Sequence, residues 1–417
     1  MYGFLTHLFL FYLHTMKYVL LACVAYSFLS CRSQNINLPP GQPPGFWLAR
    51  SKGKLTQLAY SLGQDRLGSA KEGYIDTNIL LKVIDSVGSL YQVQLSKYHT
   101  AYLAKADVER DTASHMRPFY LTQSWQEKPD TGKNGKHDSL FISMDEKLPY
   151  KSWMEINPAK IMIDIYGIES NTNWITQLTS IKEIKNVYFN QVEDDVVRVT
   201  IELKHQQHWG YTIAYKGNYL VVAVKRQPAD LNIQKLRIAI DAGHGGTNVG
   251  AEGDKSHVTE KEYTLLFAKA LQKFLKSKGV KDVIMTRTND TTFGNTDRVL
   301  WLQQQQPDML VSLHLNSADG QTSGSSTYYK HIGFRPLSTF ILKEMLAAGM
   351  DEYGNTGNFN FLLNQPTDFP NALLEIAFLS NERDEKKILK PSFHALVAKQ
   401  VYQGMVDFLN SCKTPGQ

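Results

Sequence analysis

Three stretches place side chains capable of chemistry at the ends of apolar runs. Ile238-Ala239-Ile240-Asp241-Ala242 leads into Gly243-His244-Gly245-Gly246, a strand closed by a glycine turn that presents His244. Leu310-Val311-Ser312-Leu313 ends on His314, and Leu373-Leu374-Glu375-Ile376-Ala377-Phe378 carries a carboxylate inside an apolar strand. Charge is expensive there unless it is partnered or used. A lone strand-end histidine is ordinarily structural, but two of them with a buried carboxylate are harder to assign to packing. Two histidines and one carboxylate, leaving one position for water, suit a catalytic zinc. The carboxylate ligand should come from near His244, where Glu252, Asp254, His257, Glu260 and Glu262 are available. Thr259 and Glu262 have capping-box spacing, so Glu262 folds back and Glu260, in the first helical turn, can point at the strand ends. His257 is the rival, against its bland alternative as an exposed loop residue. Asp241 and Asn316 are candidates to orient the ligands, or else to cap a turn or sheet end.

Other chemistry is excluded by spacing. Gly243-x-Gly245 is followed by Asn248 where a dinucleotide fingerprint needs its third glycine, and Gly250 is not followed by the lysine of a phosphate loop. No HExxH helix is present.

The elements that must position these groups alternate strand and helix. Residues 236–240, 283–286, 309–314 and 373–378 read as strands. Residues 260–278 form a helix whose apolar face includes Tyr263, Phe267, Leu271 and Phe274 and which Gly279 ends; a second helix spans 336–348. The expected architecture over 236–412 is an α/β domain with a mixed, mostly parallel sheet flanked by helices. Such sheets gather ligands beyond the carboxyl ends of their strands. Two small β-rich modules precede it, at 46–118 and 140–226, from strand-like patterns at 83–95, 161–167, 196–203 and 219–224. The polar stretch 125–139, with Pro129, Gly132 and Gly135, reads as a linker, and 227–235 as another.

At 417 residues the chain has room for two or three domains, and a 42% hydrophobic share supports a large core. Forty-five basic against 40 acidic residues leave only +5, with no basic block, so nucleic acid is not an expected partner. Cys23, Cys31 and Cys412 build neither a disulfide framework nor a four-cysteine metal site. Residues 18–30, after Lys17, are an apolar run too short to span a bilayer but suited to a secretory leader. Ser30-Cys31 resembles a bacterial lipoprotein cleavage site, though Phe28 stands where Leu is usual. The expectation is a signal peptide over 1–31, read from Met1 or Met16, a Pro/Gly-rich tether over 32–45, and export to the periplasm.

Four ordered motifs carry a family resemblance across 236–409: Ile240-Asp241-Ala242-Gly243-His244-Gly245-Gly246, Thr259-Glu260-Lys261-Glu262, Ser312-Leu313-His314-Leu315-Asn316 and Leu374-Glu375-Ile376-Ala377-Phe378-Leu379-Ser380-Asn381. Together they resemble the zinc-dependent N-acetylmuramoyl-L-alanine amidases. The resemblance implies zinc ligands at His244, Glu260 and His314, against His257, and a catalytic carboxylate at Glu375. It implies hydrolysis of the amide between N-acetylmuramic acid and L-alanine of peptidoglycan, in wall remodelling or daughter-cell separation. An apolar strand around Glu375 would raise its proton affinity toward the role of general base. The chain departs from the family pattern at Leu315, where Ala is frequent, and around Asn364 and Pro366, where many members carry an Arg. It lacks room for the long inhibitory helix that some relatives insert before the catalytic strand. Residues 83–108 resemble a bacterial Src-homology-type barrel, and 140–226 an AMIN module. A monomer acting on peptidoglycan is expected, with room for a protein activator and for a membrane tether through a lipidated Cys31. Deleting 32–226 is expected to spare activity on soluble muropeptides. The competing readings are a zinc peptidase of the stem peptide and a catalytically silent wall-binding homologue.

Overall fold

The strands and helices expected around the candidate residues are present in the computed structural model, which describes residues 45–63, 70–131 and 135–413. The signal-peptide reading, Cys31, both candidate starts and the tether up to residue 44 lie outside the described residues.

The first module is an antiparallel seven-stranded sheet. Its order is Lys71–Ile75, Thr56–Ala59, Thr100–Ala104, Leu90–Gln94, Leu80–Val87, Trp47–Ser51 and Val108–Arg110. The second module has two sheets. One runs Tyr150–Glu155, Lys160–Tyr166, Val196–Leu203, Ile184–Glu193; the other runs Glu169–Ser170, Leu121–Pro129, His137–Met144, Tyr219–Lys225, Tyr211–Lys216.

The second sheet corrects the expected linker at 125–139 and the module start at 140. Leu121–Pro129 and His137–Met144 are paired strands, so this module begins near Leu121. The polar composition misleads because the buried carboxylates, Glu127 and Asp138, are partnered. Asp138 is fully buried and accepts from the Arg226 guanidinium at 2.6 Å and the Lys182 amide at 2.9 Å, while Trp125 fills the core at 1% exposure. A buried carboxylate is tolerated in a strand only when its lone pairs are satisfied in this way.

In the last domain the elements are β1 (Arg237–Ala242), α1 (Glu260–Ser277), β2 (Asp282–Met285), α2 (Asn295–Gln305), β3 (Met309–Asn316), β4 (Ser325–Tyr328), α3 (Arg335–Ala347), β5 (Glu352–Thr356), β6 (Asn371–Phe378), α4 (Glu382–Ile388) and α5 (Pro391–Ser411). The sheet order is β2-β1-β3-β6-β4-β5, parallel except where β4 meets β6. Every residue of β6 is buried, Glu375 included, as its mainly apolar sequence demands of a central strand. At the start of α1, the Glu262 carboxylate accepts from the Thr259 amide at 3.2 Å. Between β3 and β6 the chain holds β4, α3, β5 and short turns, with no further long helix.

The modules are packed on one another from Phe46 onward as one compact unit. Trp209 of the second module belongs to the core of the last domain, 5.8 Å from the Phe408 ring. The Tyr211 amide donates to the Thr367 carbonyl at 2.8 Å, and the Thr367 hydroxyl donates back to the Tyr211 carbonyl at 2.8 Å. An edge strand of the second module thus anchors the loop that leads into β6.

Candidate metal centre and active site

The turn after β1 is built by two buried arginines. Arg298 donates to the carbonyls of Ala242 at 2.8 Å and of His244, and Arg287 donates to those of Ala242 and Gly243, both at 2.9 Å. This network holds His244 at φ 60°, left-handed backbone that a non-glycine residue adopts only when its surroundings fix it. Gly243 is required by contact: a Cβ there would lie 2.4 Å from the His314 ring.

Glu260 opens α1 and is 4% exposed. Its Oε2 lies 3.0 Å from His244 Nε2 and its Oε1 3.0 Å from His314 Nδ1. The two carboxylate oxygens also accept the Ala251 and Leu315 amides at 2.9 and 3.0 Å, which fixes the carboxylate between the rings. The imidazoles stand edge to face, with centroids 5.0 Å apart. The ligand atoms of His244, Glu260 and His314 all lie within 4.8 Å of one another. His244 Nδ1 faces the Asn248 Oδ1 at 2.8 Å. With that carbonyl accepting from Nδ1, Nε2 carries the lone pair toward the cluster, the form that binds a metal.

Burial opposes charge on Glu260, yet its bonds to His244 and His314 hold it well below the ordinary carboxylate range. Burial likewise opposes the charged form of His314, but Glu260 raises its proton affinity, with help from Glu375 and Asp241. The pocket therefore stabilises positive charge between these groups. Two nitrogens and a carboxylate oxygen, in a pocket built for a cation, fit a zinc ion.

Glu375 is 7% exposed. It sits opposite His314 in the β3–β6 register and opposite Ser326 in the β4–β6 register. Asp241 stands one step back: its oxygens accept from Ser312 at 2.5 Å, Thr286 at 2.7 Å and Arg298 at 2.8 Å. Burial works against its charge, but Arg298 and these hydroxyls keep the carboxyl below its ordinary range. The Asn316 Oδ1 accepts from the Ser317 amide at 2.9 Å, closing the end of β3. His257, three-quarters exposed, pairs with Glu252 at 3.0 Å and lies outside the cluster.

Sequence reasoning passed over Arg287, Arg298, Asn248 and Phe361. Arg287 lies two residues beyond the buried Met285 that ends β2, and Arg298 precedes the buried Val299, each a charge set near a core position. Phe361 stacks parallel to His314, 6.5 Å between centroids, and nothing in its local sequence marked it.

A mixed α/β sheet with a two-histidine, one-carboxylate cluster at its strand ends defines a hydrolase-type domain with a candidate metal site. The family model described as N-acetylmuramoyl-L-alanine amidase matches residues 238–407, and that of the AMIN domain matches 130–224. The N-acetylmuramoyl-L-alanine amidase AmiC of Escherichia coli O6:H1 is 23% identical over 355 residues, covering 64% of this chain and 85% of that protein. The probable cell wall amidase LytH of Staphylococcus aureus is 30% identical over 204 residues, covering 48% of this chain and 67% of that protein. The catalytic domain of CwlV, an amidase from Paenibacillus polymyxa, is 29% identical with a TM-score of 0.40, over 42% of this chain and 98% of that one. The chain belongs to the N-acetylmuramoyl-L-alanine amidase family and is a peptidoglycan amidase.

Proposed function

We propose that the chain hydrolyses the amide between the lactyl group of N-acetylmuramic acid and L-alanine, with a zinc ion held by His244, Glu260 and His314. The convergence of those three side chains from the turn after β1, from α1 and from β3 carries this reading. Bound zinc supplies Lewis acidity toward the amide carbonyl and brings the pKa of a water from near 16 to about 7. Glu375, beside His314 on the next strand, takes a proton from the attacking water and passes it to the departing amine nitrogen. Glu260 balances positive charge between the imidazoles, and Asn248 holds His244 in its ligating tautomer. Asp241 acts through Arg298 on the main chain of the His244 turn.

The AMIN match and the apolar leader support export to the periplasm and action in wall remodelling or cell separation. Lipidation of Cys31 would add a membrane tether, and no helix among the described residues is long and apolar enough to cross a membrane. The test is purified 32–417 on peptidoglycan with zinc, with chelator and as Glu375→Gln, reading released fragments by mass spectrometry. Free stem peptides beginning with L-alanine, seen only with metal and Glu375, are expected. Cleavage within the stem would replace this reading with the peptidase, and no release despite bound zinc would replace it with a wall-binding role.

A further inference from the structure

We infer that Lys71, in the first module, is a positioning residue for the amidase reaction, acting through Phe361 on the wall of the substrate site. The inference rests on the amidase reading above.

Three rings line one side of the candidate centre. Phe361 stacks on His314, 6.5 Å between centroids and 8° from parallel. It meets Phe359 at 4.6 Å and Tyr328 at 5.3 Å, and Tyr328 meets Phe359 at 4.7 Å. Tyr328 lies two residues beyond Ser326 on β4, and alternate strand residues share a face. It is thus on the face that Ser326 presents beside Glu375. The wall therefore flanks the space between His314 and Glu375, where the scissile amide must enter. Its apolar surface suits the methyl-bearing junction of sugar and peptide, since aromatic faces orient small apolar groups with little loss of entropy.

Phe359 and Phe361 belong to the segment between β5 and β6. Asn358 adopts φ 53°, and the Phe359 amide donates to the Tyr329 carbonyl at 3.2 Å. Between the two rings, Asn360 is held by two ammonium groups. Lys71 donates to its main-chain carbonyl at 3.0 Å and Lys330 to its Oδ1 at 3.2 Å, while Lys330 also donates to the Lys71 carbonyl at 3.2 Å. Leu55 of the first module and Leu362 pack against one cluster with Leu363 and Phe369. Hydrogen bonds to charged groups hold geometry more firmly than neutral ones. A strand of the first module, 289 residues away in sequence, thus fixes the residue next to the ring that faces His314.

Full-length 32–417, wild type, Lys71→Met, Lys71→Arg, Phe361→Ala and Lys71→Met/Phe361→Ala, would be assayed on a soluble muramyl tetrapeptide. Zinc content and Tm are recorded, and calorimetry on metal-free protein gives Kd for the same peptide. Methionine keeps the stem of Lys71 packed and removes only the donor. In Lys71→Met, KM and the metal-free Kd should both rise about tenfold, the low end for one lost charge-assisted bond, with kcat and zinc content held. Lys71→Arg should recover most of that loss, and Lys71→Met should add nothing to Phe361→Ala. Unchanged KM and Kd in Lys71→Met, or an undiminished effect in the Phe361→Ala background, overturns the inference. So does a loss confined to kcat or zinc content. If the wild type releases no stem peptide, the amidase reading fails instead.

Discussion

At Glu375, exchange for glutamine preserves shape while removing the group that, in the proposed mechanism, accepts and returns a proton. Turnover of peptidoglycan by Glu375→Gln is expected to fall about a hundred- to ten-thousandfold, the range of general acid–base contributions. Zinc stoichiometry should stay at the wild-type value, checked by elemental analysis, because Glu375 is not among the three clustered candidate ligands. The Asp241–Arg298 pair, 1% and 2% exposed, makes a separate prediction about stability. Arg298→Met leaves a buried carboxylate and should cost about 3–5 kcal/mol in denaturant unfolding. Acid should act on the same pair. The Asp241 carboxyl lies below its usual 3.8 when folded, so its stabilisation is present above that value and is lost as pH falls further. Urea titrations from pH 6 down to 2 should show a falling limb below about pH 4 that is shallower in Asp241→Asn. An identical limb in both proteins would assign acid sensitivity to other carboxylates.

The elements position the centre through close approach as much as through regular structure. Gly243 closes β1 where a Cβ would come within 2.4 Å of His314, and at Gly250 it would come within 2.4 Å of the Glu260 Oε2. Gly243→Ala should push the His314 ring aside and lower zinc affinity about 10- to 100-fold, the scale on which support of metal ligands operates. Competition with a chromogenic chelator measures it, and wild-type affinity in a folded variant would refute the contact argument. At this scale the sequence was informative about β1, α1, β3 and β6, because apolar period, a capping pair and glycine turns are local signals. It was uninformative about α2, whose amphipathic pattern is interrupted by the arginine that supports the turn, and it misread Leu121–Pro129 and His137–Met144. The buried Asp138 in the second of these strands is balanced by Arg226, nearly ninety residues downstream.

Across the whole molecule, the expected independence of the last domain gives way to shared packing. Trp209 sits in the core of that domain, and the buried Lys225 ammonium donates to the Pro307 carbonyl at 2.6 Å. Deleting 32–226 removes both groups, along with Lys71, and leaves Phe408 without its ring partner. The remaining fragment should lose about 3–5 kcal/mol of stability from the missing tryptophan alone. It should also show a raised KM on soluble muropeptides, as well as slower turnover of intact sacculi. A fragment matching the full chain in Tm and in KM on soluble muropeptides would restore the view of separable modules.

What the sequence determined by itself is which groups are candidates for the chemistry: two strand-end histidines, a first-turn glutamate and a glutamate within an apolar strand, each flagged by neighbours within a few residues. The tertiary structure decided what holds them. The arginines behind the His244 turn, the Asn248 contact, the phenylalanine against His314 and the lysine that reaches the same segment from the first module all act across long separations in the chain. Periodicity and spacing report burial and local conformation, whereas the partner of a buried charge or ring is fixed only when distant segments pack.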